Sequence, residues 1–260
     1  MLSLLKRQAE KRFFTLRFVP PYGGGIGVTM NVHAIFFDKD GTLMKFDDFW
    51  IEVSVRALKT ILSNTGREDI ATDEFLEAFG VSEGTADTDG LLCKGTYEQI
   101  GMAVYKILKA YGVDIKPECA VEMTIEAYEK NADCGEVKPV CDNLADVLRK
   151  LKSNGIKLAV VTTDNYKITH KCLEKLGIGD LFTRVYTDDG KTPVKPNPQC
   201  VLDFSADFGI PCENIIMAGD TITDICFAKN AGIFSVCVGK NELARQYADA
   251  AIPDVSHIFK

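Results

Sequence analysis

The chain holds 260 residues, 46% hydrophobic and 26% charged, which suits one large or two small globular domains with a sizeable core. No apolar run approaches the roughly 18 to 20 residues of a membrane-spanning helix, and a net charge of -7 without a basic stripe argues against nucleic acid as a partner. The charge is unevenly spread. Residues 1–30 carry five Lys or Arg against one Glu, residues 46–135 carry eight against eighteen acidic residues, and the remainder is close to neutral. Nine scattered cysteines form no C-x-x-C pair, so zinc and dithiol chemistry have no support and the thiols read as reduced, in a cytoplasmic protein.

Residues 1–29 read as an N-terminal extension. Lys6, Arg7, Lys11, Arg12 and Arg17 among Leu and Phe have the composition of an organelle-targeting leader. The simpler reading is a disordered tail or a mis-assigned start, because a domain beginning at Met30 would lack nothing. The glycine-rich run 23–27 precedes a predicted strand instead of following one, so it fails as a dinucleotide-binding loop. From Met30 onward, strands are predicted at 34–37, 158–161, 185–186, 215–217, 234–238 and 250–252. Helices are predicted at 141–153, 166–176, 198–208 and 221–230, with Gly155, Gly177, Gly209 and Gly232 as stop signals. This alternation predicts an α/β fold, a Rossmann-like parallel sheet with helices on both faces. About a hundred residues separate the first two core strands, and they show helical patterns only, at 49–62, 72–79, 96–111 and 117–131. The expected organisation is a core of residues 30–45 and 136–260 interrupted by an acidic, all-helical insertion at 46–135.

Parallel sheets place their chemistry at the carboxyl ends of strands. The first strand runs into Asp38-Lys39-Asp40-Gly41-Thr42-Leu43, two carboxylates flanking one residue, with Gly41 free to turn sharply. Strand 215–217 runs into Gly219-Asp220-Thr221-Ile222-Thr223-Asp224, where Asp220 and Asp224 are expected to share a helix face. Convergence of Asp38, Asp40, Asp220 and Asp224 would crowd like charges that a cation relieves, and an all-oxygen set suits magnesium. Beside it, Thr162 and Thr163 end a strand, and Asp164 or Asn165 is placed to cap the next helix, whose free N–H groups favour a phosphate. Lys195 lies in a stiff, proline-set loop at 191–198. The pairs Asp47-Asp48 and Asp87-Thr88-Asp89 read as solvated turns, and Lys94 is a candidate substrate contact within the acidic interval.

In this order, DKDGTL, the strand ending in Thr162, the K-P-x-P loop at Lys195 and GDxxxD resemble the four motifs of the haloacid dehalogenase superfamily. The resemblance spans essentially residues 30–260, with the insertion where that family carries its helical C1 cap. It implies that Asp38 is the nucleophile that forms an aspartyl-phosphate, and that Asp40 is the acid that protonates the leaving oxygen and then the base that activates water. It further implies that Thr162, Thr163 and Lys195 hold phosphoryl oxygens. Mg2+ would be bound at Asp38, Asp40, Asp220 and Asp224, through the Asp38 side chain, the Asp40 backbone carbonyl and Asp220, with Asp224 orienting the metal's waters. An acid at position 40 points away from dehalogenases, ion pumps and phosphonate hydrolases, and the DKDGT segment is closest to phosphoglycolate-phosphatase-like members. The implied function is Mg-dependent hydrolysis of a small phosphorylated metabolite. A sugar phosphomutase and a non-catalytic binding protein of the same fold are the alternatives.

Overall fold

A computed structural model of the chain describes residues 15–18, 27–88, 90–189 and 193–259. The candidate leader at 1–14, most of the glycine-rich run at 23–27, Asp89 and residues 191–192 of the Lys195 loop lie outside them.

The chain opens with strands β1 (Thr15–Phe18), β2 (Val28–Asn31) and β3 (Ala34–Phe37). It continues through α1 (Phe46–Asn64), α2 (Thr72–Ala78), β4 (Val81–Ser82), β5 (Thr85–Ala86), α3 (Leu91–Lys94), α4 (Tyr97–Ala110) and α5 (Pro117–Asn131). The rest alternates as expected: α6 (Leu144–Ser153), β6 (Lys157–Asn165), α7 (Tyr166–Lys175), β7 (Arg184–Asp188), α8 (Gln199–Phe208), β8 (Ile215–Gly219), α9 (Ile222–Ala231), β9 (Phe234–Val238), α10 (Glu242–Tyr247) and β10 (Ala250–Ile252).

Six strands form one parallel sheet in the order β10-β9-β8-β3-β6-β7. Its central strand, Ala34-Ile35-Phe36-Phe37, is wholly buried, as a strand covered on both faces must be. Alternation divides it: Ile35 and Phe37 join the apolar cluster with Leu148 and Leu151 of α6, while Ala34 and Phe36 join Val201 and Phe204 of α8 and Phe227 of α9. From β3 the chain builds outward through β6 and β7, then returns to the other side as β8. The gap between β3 and β8 is therefore the topological switch point, where crevices open at strand ends. Pairing of Phe37 with Val160 on one side and Ala218 on the other sets Asp38, Thr162 and Asp220 beside one another.

Two expectations are corrected. The segment before Met30 is not dispensable to packing: β1 pairs antiparallel with β2, and its alternate residues Leu16 and Phe18 are each 2% exposed within the core cluster. Phe18 meets the ring of Phe234 at 5.4 Å. The insertion is also not all helical, because β4 and β5 form a short antiparallel hairpin. That hairpin is tied to α1 by the Ala86 N–H, which donates to Asp47 Oδ1 at 3.1 Å, so Asp47 is a structural anchor instead of a solvated turn. Asp48 accepts from Lys138 across the insertion boundary at 3.4 Å.

The helices of the insertion share their own apolar cluster, built from Phe49, Val53 and Ile61 of α1, Phe75 of α2, Val104 of α4 and Tyr128 of α5, and it seats on Ile168 and Cys172 of α7. The two connections run side by side: the Lys45 N–H donates to the Lys138 carbonyl at 2.9 Å, and the Val140 N–H to the Leu43 carbonyl at 3.2 Å. No helix among the described residues is long and apolar enough to cross a membrane.

Candidate active site

Two strand ends and the first turn of a helix bring three carboxylates together. Asp38 follows β3 and is anchored by its backbone N–H, which donates to the Ala218 carbonyl of β8 at 2.9 Å. Asp220 follows β8, and Asp224 lies in the first turn of α9. Ligand oxygens of Asp38, Asp220 and Asp224 all lie within 4.8 Å of one another. Asp220 lies before the helix, so the pair does not share a helix face as the four-residue spacing predicts. Asp224 instead turns back over the helix start, where its Oδ2 accepts from the Thr221 N–H at 3.0 Å and from the Thr221 hydroxyl at 2.7 Å. Gly41, at a φ of 78°, clears the opposite side, since a β-carbon there would collide with the Asp220 carboxylate. The Thr42 hydroxyl donates to Asp220 Oδ1 at 3.2 Å.

Lys195 reaches this cluster from the loop before α8. Its Nζ donates to Asp38 Oδ1 at 2.5 Å and to Asp224 Oδ1 at 2.6 Å, both bonds buried. Burial pushes the Asp38 carboxyl up to about 7, with the Asp224 and Asp40 charges adding to it and Lys195 opposing it. The Asp220 carboxyl is raised well above the usual range by burial, then by Asp38 and Asp224. Burial by itself would lower the Lys195 ammonium, but Asp224 and Asp38 outweigh it and hold the group charged. One lysine faces three clustered acids, two of them buried, so carboxylates outnumber the cation that offsets them. An all-oxygen donor set in that state, with Gly41 keeping the space beside Asp220 clear, fits a hard divalent cation such as Mg2+.

Asp40 does not join them. Its carboxylate turns toward the insertion: Lys39 Nζ lies 2.8 Å from Oδ1 and 2.7 Å from Oδ2, and the Trp50 indole N–H donates to Oδ1 at 2.8 Å. The expected four-acid cluster is thus a three-acid cluster with Asp40 alongside. Thr162 is buried, whereas Thr163 is exposed, as strand alternation requires for adjacent residues. The cap of α7 is Asn165, whose Oδ1 accepts from the Ile168 N–H at 3.0 Å. Lys94 is exposed at the end of the four-residue α3. The half-buried Cys93 beside it has its thiol pushed up to about 12, by burial and then by the carboxylates of Asp47, Asp220, Asp40 and Asp87, so this turn of the insertion lies in the field of the acids.

Four participants escape the sequence reading: Lys39, Trp50, Tyr97 and Asp164. Lys39 counts there as a spacer between two acids, Asp164 as a candidate cap, and Trp50 and Tyr97 as members of helical patterns. Only the run of charges in Asp38-Lys39-Asp40 carried a signal, since a lysine beside a wholly buried strand has to find partners.

The sequence pattern of the haloacid dehalogenase-like hydrolases matches residues 32–232. The chain belongs to that family. Among proteins similar to this hydrolase, the pyrophosphatase PpaX of Halalkalibacterium halodurans is 26% identical over 228 residues, covering 86% of this chain and 92% of its own. Phosphoglycolate phosphatase 1 of Pseudomonas aeruginosa is 25% identical over 199 residues, covering 76% and 66%. The crystal structure of a subfamily IA hydrolase of the haloacid dehalogenase superfamily from Geobacter sulfurreducens superposes with a TM-score of 0.63 at 20% identity. It covers 87% of this chain and 94% of that one, and shows the shared fold.

Proposed function

We propose that this hydrolase is a Mg-dependent phosphatase that removes phosphate from a small phosphomonoester through an aspartyl-phosphate on Asp38. The observation that carries the reading is the position of Lys195, which bonds Asp38 and Asp224 at once. An ionised carboxylate repels a phosphate dianion, so attack requires positive charge at the point of approach. Lys195 supplies one such charge, and Mg2+ held by Asp38, Asp220, Asp224 and the Asp40 carbonyl would supply the rest by polarising the phosphoryl oxygens.

Asp38 Oδ attacks phosphorus while the bond to the leaving oxygen breaks, and protonated Asp40 gives that oxygen its proton. The buried Thr162 hydroxyl and Lys195 hold the phosphoryl oxygens. Asp40, now ionised, takes a proton from water, which attacks phosphorus and restores the Asp38 carboxylate. Two of its relatives are a pyrophosphatase and a phosphoglycolate phosphatase. The ten-charge acidic excess of residues 46–135 disfavours polyanions and makes a compact monophosphate the better match. In this reading the insertion is a cap that closes over the strand ends and excludes water.

The test is release of inorganic phosphate from p-nitrophenyl phosphate, acetyl phosphate and a panel of small phosphomonoesters, with Mg2+ and with EDTA. Turnover that is abolished by EDTA and in Asp38→Asn supports the proposal. Wild-type turnover no greater than that of Asp38→Asn on every ester overturns it, and an isomerised sugar phosphate made only with a bisphosphate activator identifies a mutase instead.

A further inference from the structure

Lys39 is fully buried, and everything around it concerns Asp40. Its ammonium contacts both Asp40 oxygens at 2.7 and 2.8 Å, lies 3.2 Å from Asp164 Oδ2 and 3.9 Å from Met44 Sδ, and sits over the Trp50 and Phe49 rings. Asp164 continues the chain of contacts. Its Oδ1 accepts from the Asn165 N–H at 2.7 Å and from the Tyr97 hydroxyl at 3.1 Å. Burial works to discharge Lys39, but the Asp40 and Asp164 charges outweigh it. An ammonium is costly to bury, and a residue needed only to space two aspartates would be apolar here.

Two of these bonds cross from the core to the insertion. Trp50 belongs to α1 and holds Asp40, while Tyr97 is the first residue of α4 and holds Asp164 at the end of β6. A lone aspartate on a turn samples several rotamers. Asp40 is instead fixed by a lysine on both oxygens and by an indole, and the lysine is itself fixed from behind by Asp164 and Tyr97.

We propose that Lys39, Asp164 and Tyr97 are positioning residues that fix the rotamer of the Asp40 carboxylate and tie that rotamer to the seating of the helical insertion on the core. The proposal rests on Asp40 being the acid and base of the proposed function. When the insertion lifts, Trp50 and Tyr97 leave together, and Asp40 keeps only Lys39, whose partner Asp164 has lost the Tyr97 hydroxyl. Proton transfer is then efficient only with the insertion seated over a substrate.

Tyr97→Phe is the cleanest variant, because it removes one hydroxyl and keeps the ring packed against Tyr128. Two measurements test it. Trp50 is the only tryptophan, so its indole N–H gives a single resonance that reports the bond to Asp40. Tyr97→Phe and Asp164→Asn are expected to shift or split that resonance while the remaining spectrum stays folded. An indole resonance unmoved in both variants overturns the coupling, whatever the enzyme's activity.

In turnover, kcat for an alkyl phosphate, whose leaving oxygen needs a proton, is expected to fall about tenfold in Tyr97→Phe with KM unchanged, while p-nitrophenyl phosphate loses less than about threefold. Asp40→Asn is expected to show the same selectivity in larger measure. Equal losses on both esters in Tyr97→Phe and Asp164→Asn, beside a selective Asp40→Asn, overturn the positioning role and leave the proposed function standing. An unselective Asp40→Asn overturns the role of Asp40 itself, and the positioning proposal with it.

Discussion

Two buried lysines divide the acids of this protein, and they differ in what they leave undone. Lys195 faces Asp38, Asp220 and Asp224, all carried by strand ends and the first turn of a helix in the core. One ammonium against three carboxylates is a set that a divalent cation fits. Lys39 faces Asp40 and Asp164, and Trp50, Tyr97 and the Asn165 N–H supply further bonds, leaving Asp164 Oδ2 with the Lys39 ion pair alone. That set is nearly complete without a metal, but two of its donors come from the insertion. The comparison teaches that the first cluster is built by the sheet and its following helix alone, whereas the second is completed by Trp50 and Tyr97 of the insertion.

The largest effect separates the two lysines by chemistry. Lys195→Met is expected to lower kcat/KM on p-nitrophenyl phosphate by about 10³-fold, the scale of losing a charge aimed at the reacting group, measured as phosphate release. Lys39→Met is expected to do more harm to stability, because it strands the buried Asp164 carboxylate and the half-buried Asp40. Urea unfolding should show a loss of about 3 to 5 kcal/mol. If the two substitutions are indistinguishable in both assays, the division fails.

Phe18→Ala is expected to cost about 3 kcal/mol in the same unfolding measurement, because it empties a core position that β1 fills; a neutral result would return β1 to the status of a tail. Mg2+ at about a hundredfold its dissociation constant should stabilise wild type by about 2 to 3 kcal/mol in thermal melts. Asp220→Asn should lose most of that gain, while Asp164→Asn, in the cluster that needs no cation, should keep it. Smallest, Asp47→Ala is expected to cost about 1 kcal/mol by releasing the hairpin amide of Ala86, and unchanged stability would make the hairpin independent of α1.

Much of this was legible in the residues. Asp38, Lys195 and Asp220 were picked out by their place after buried strands, where parallel sheets expose backbone and side chains to a crevice. Asp224 was picked out for a geometry the structure does not use, because the spacing rule applies inside a helix and Asp220 lies outside it. The strand at 15–18 went unseen because four alternating residues are a weak signal within a basic segment, and only its pairing with Val28–Asn31 gives Leu16 and Phe18 an inside. The hairpin at 81–86 went unseen for a similar reason, its strands being two residues each.

The sequence by itself determined the α/β alternation, the strand ends that carry the acids and the uneven charge, because these depend on local periodicity and on residues within a few positions of one another. Which acid belongs to which lysine was decided only by tertiary structure. Asp38 and Asp40 are two residues apart and similar on paper, yet one is taken by Lys195, 157 positions away, and the other by its neighbour Lys39. The second choice is held from the insertion, through a hydrogen bond between Tyr97 and Asp164 across 67 residues, and no local pattern encodes where a helix so distant in the chain comes to rest.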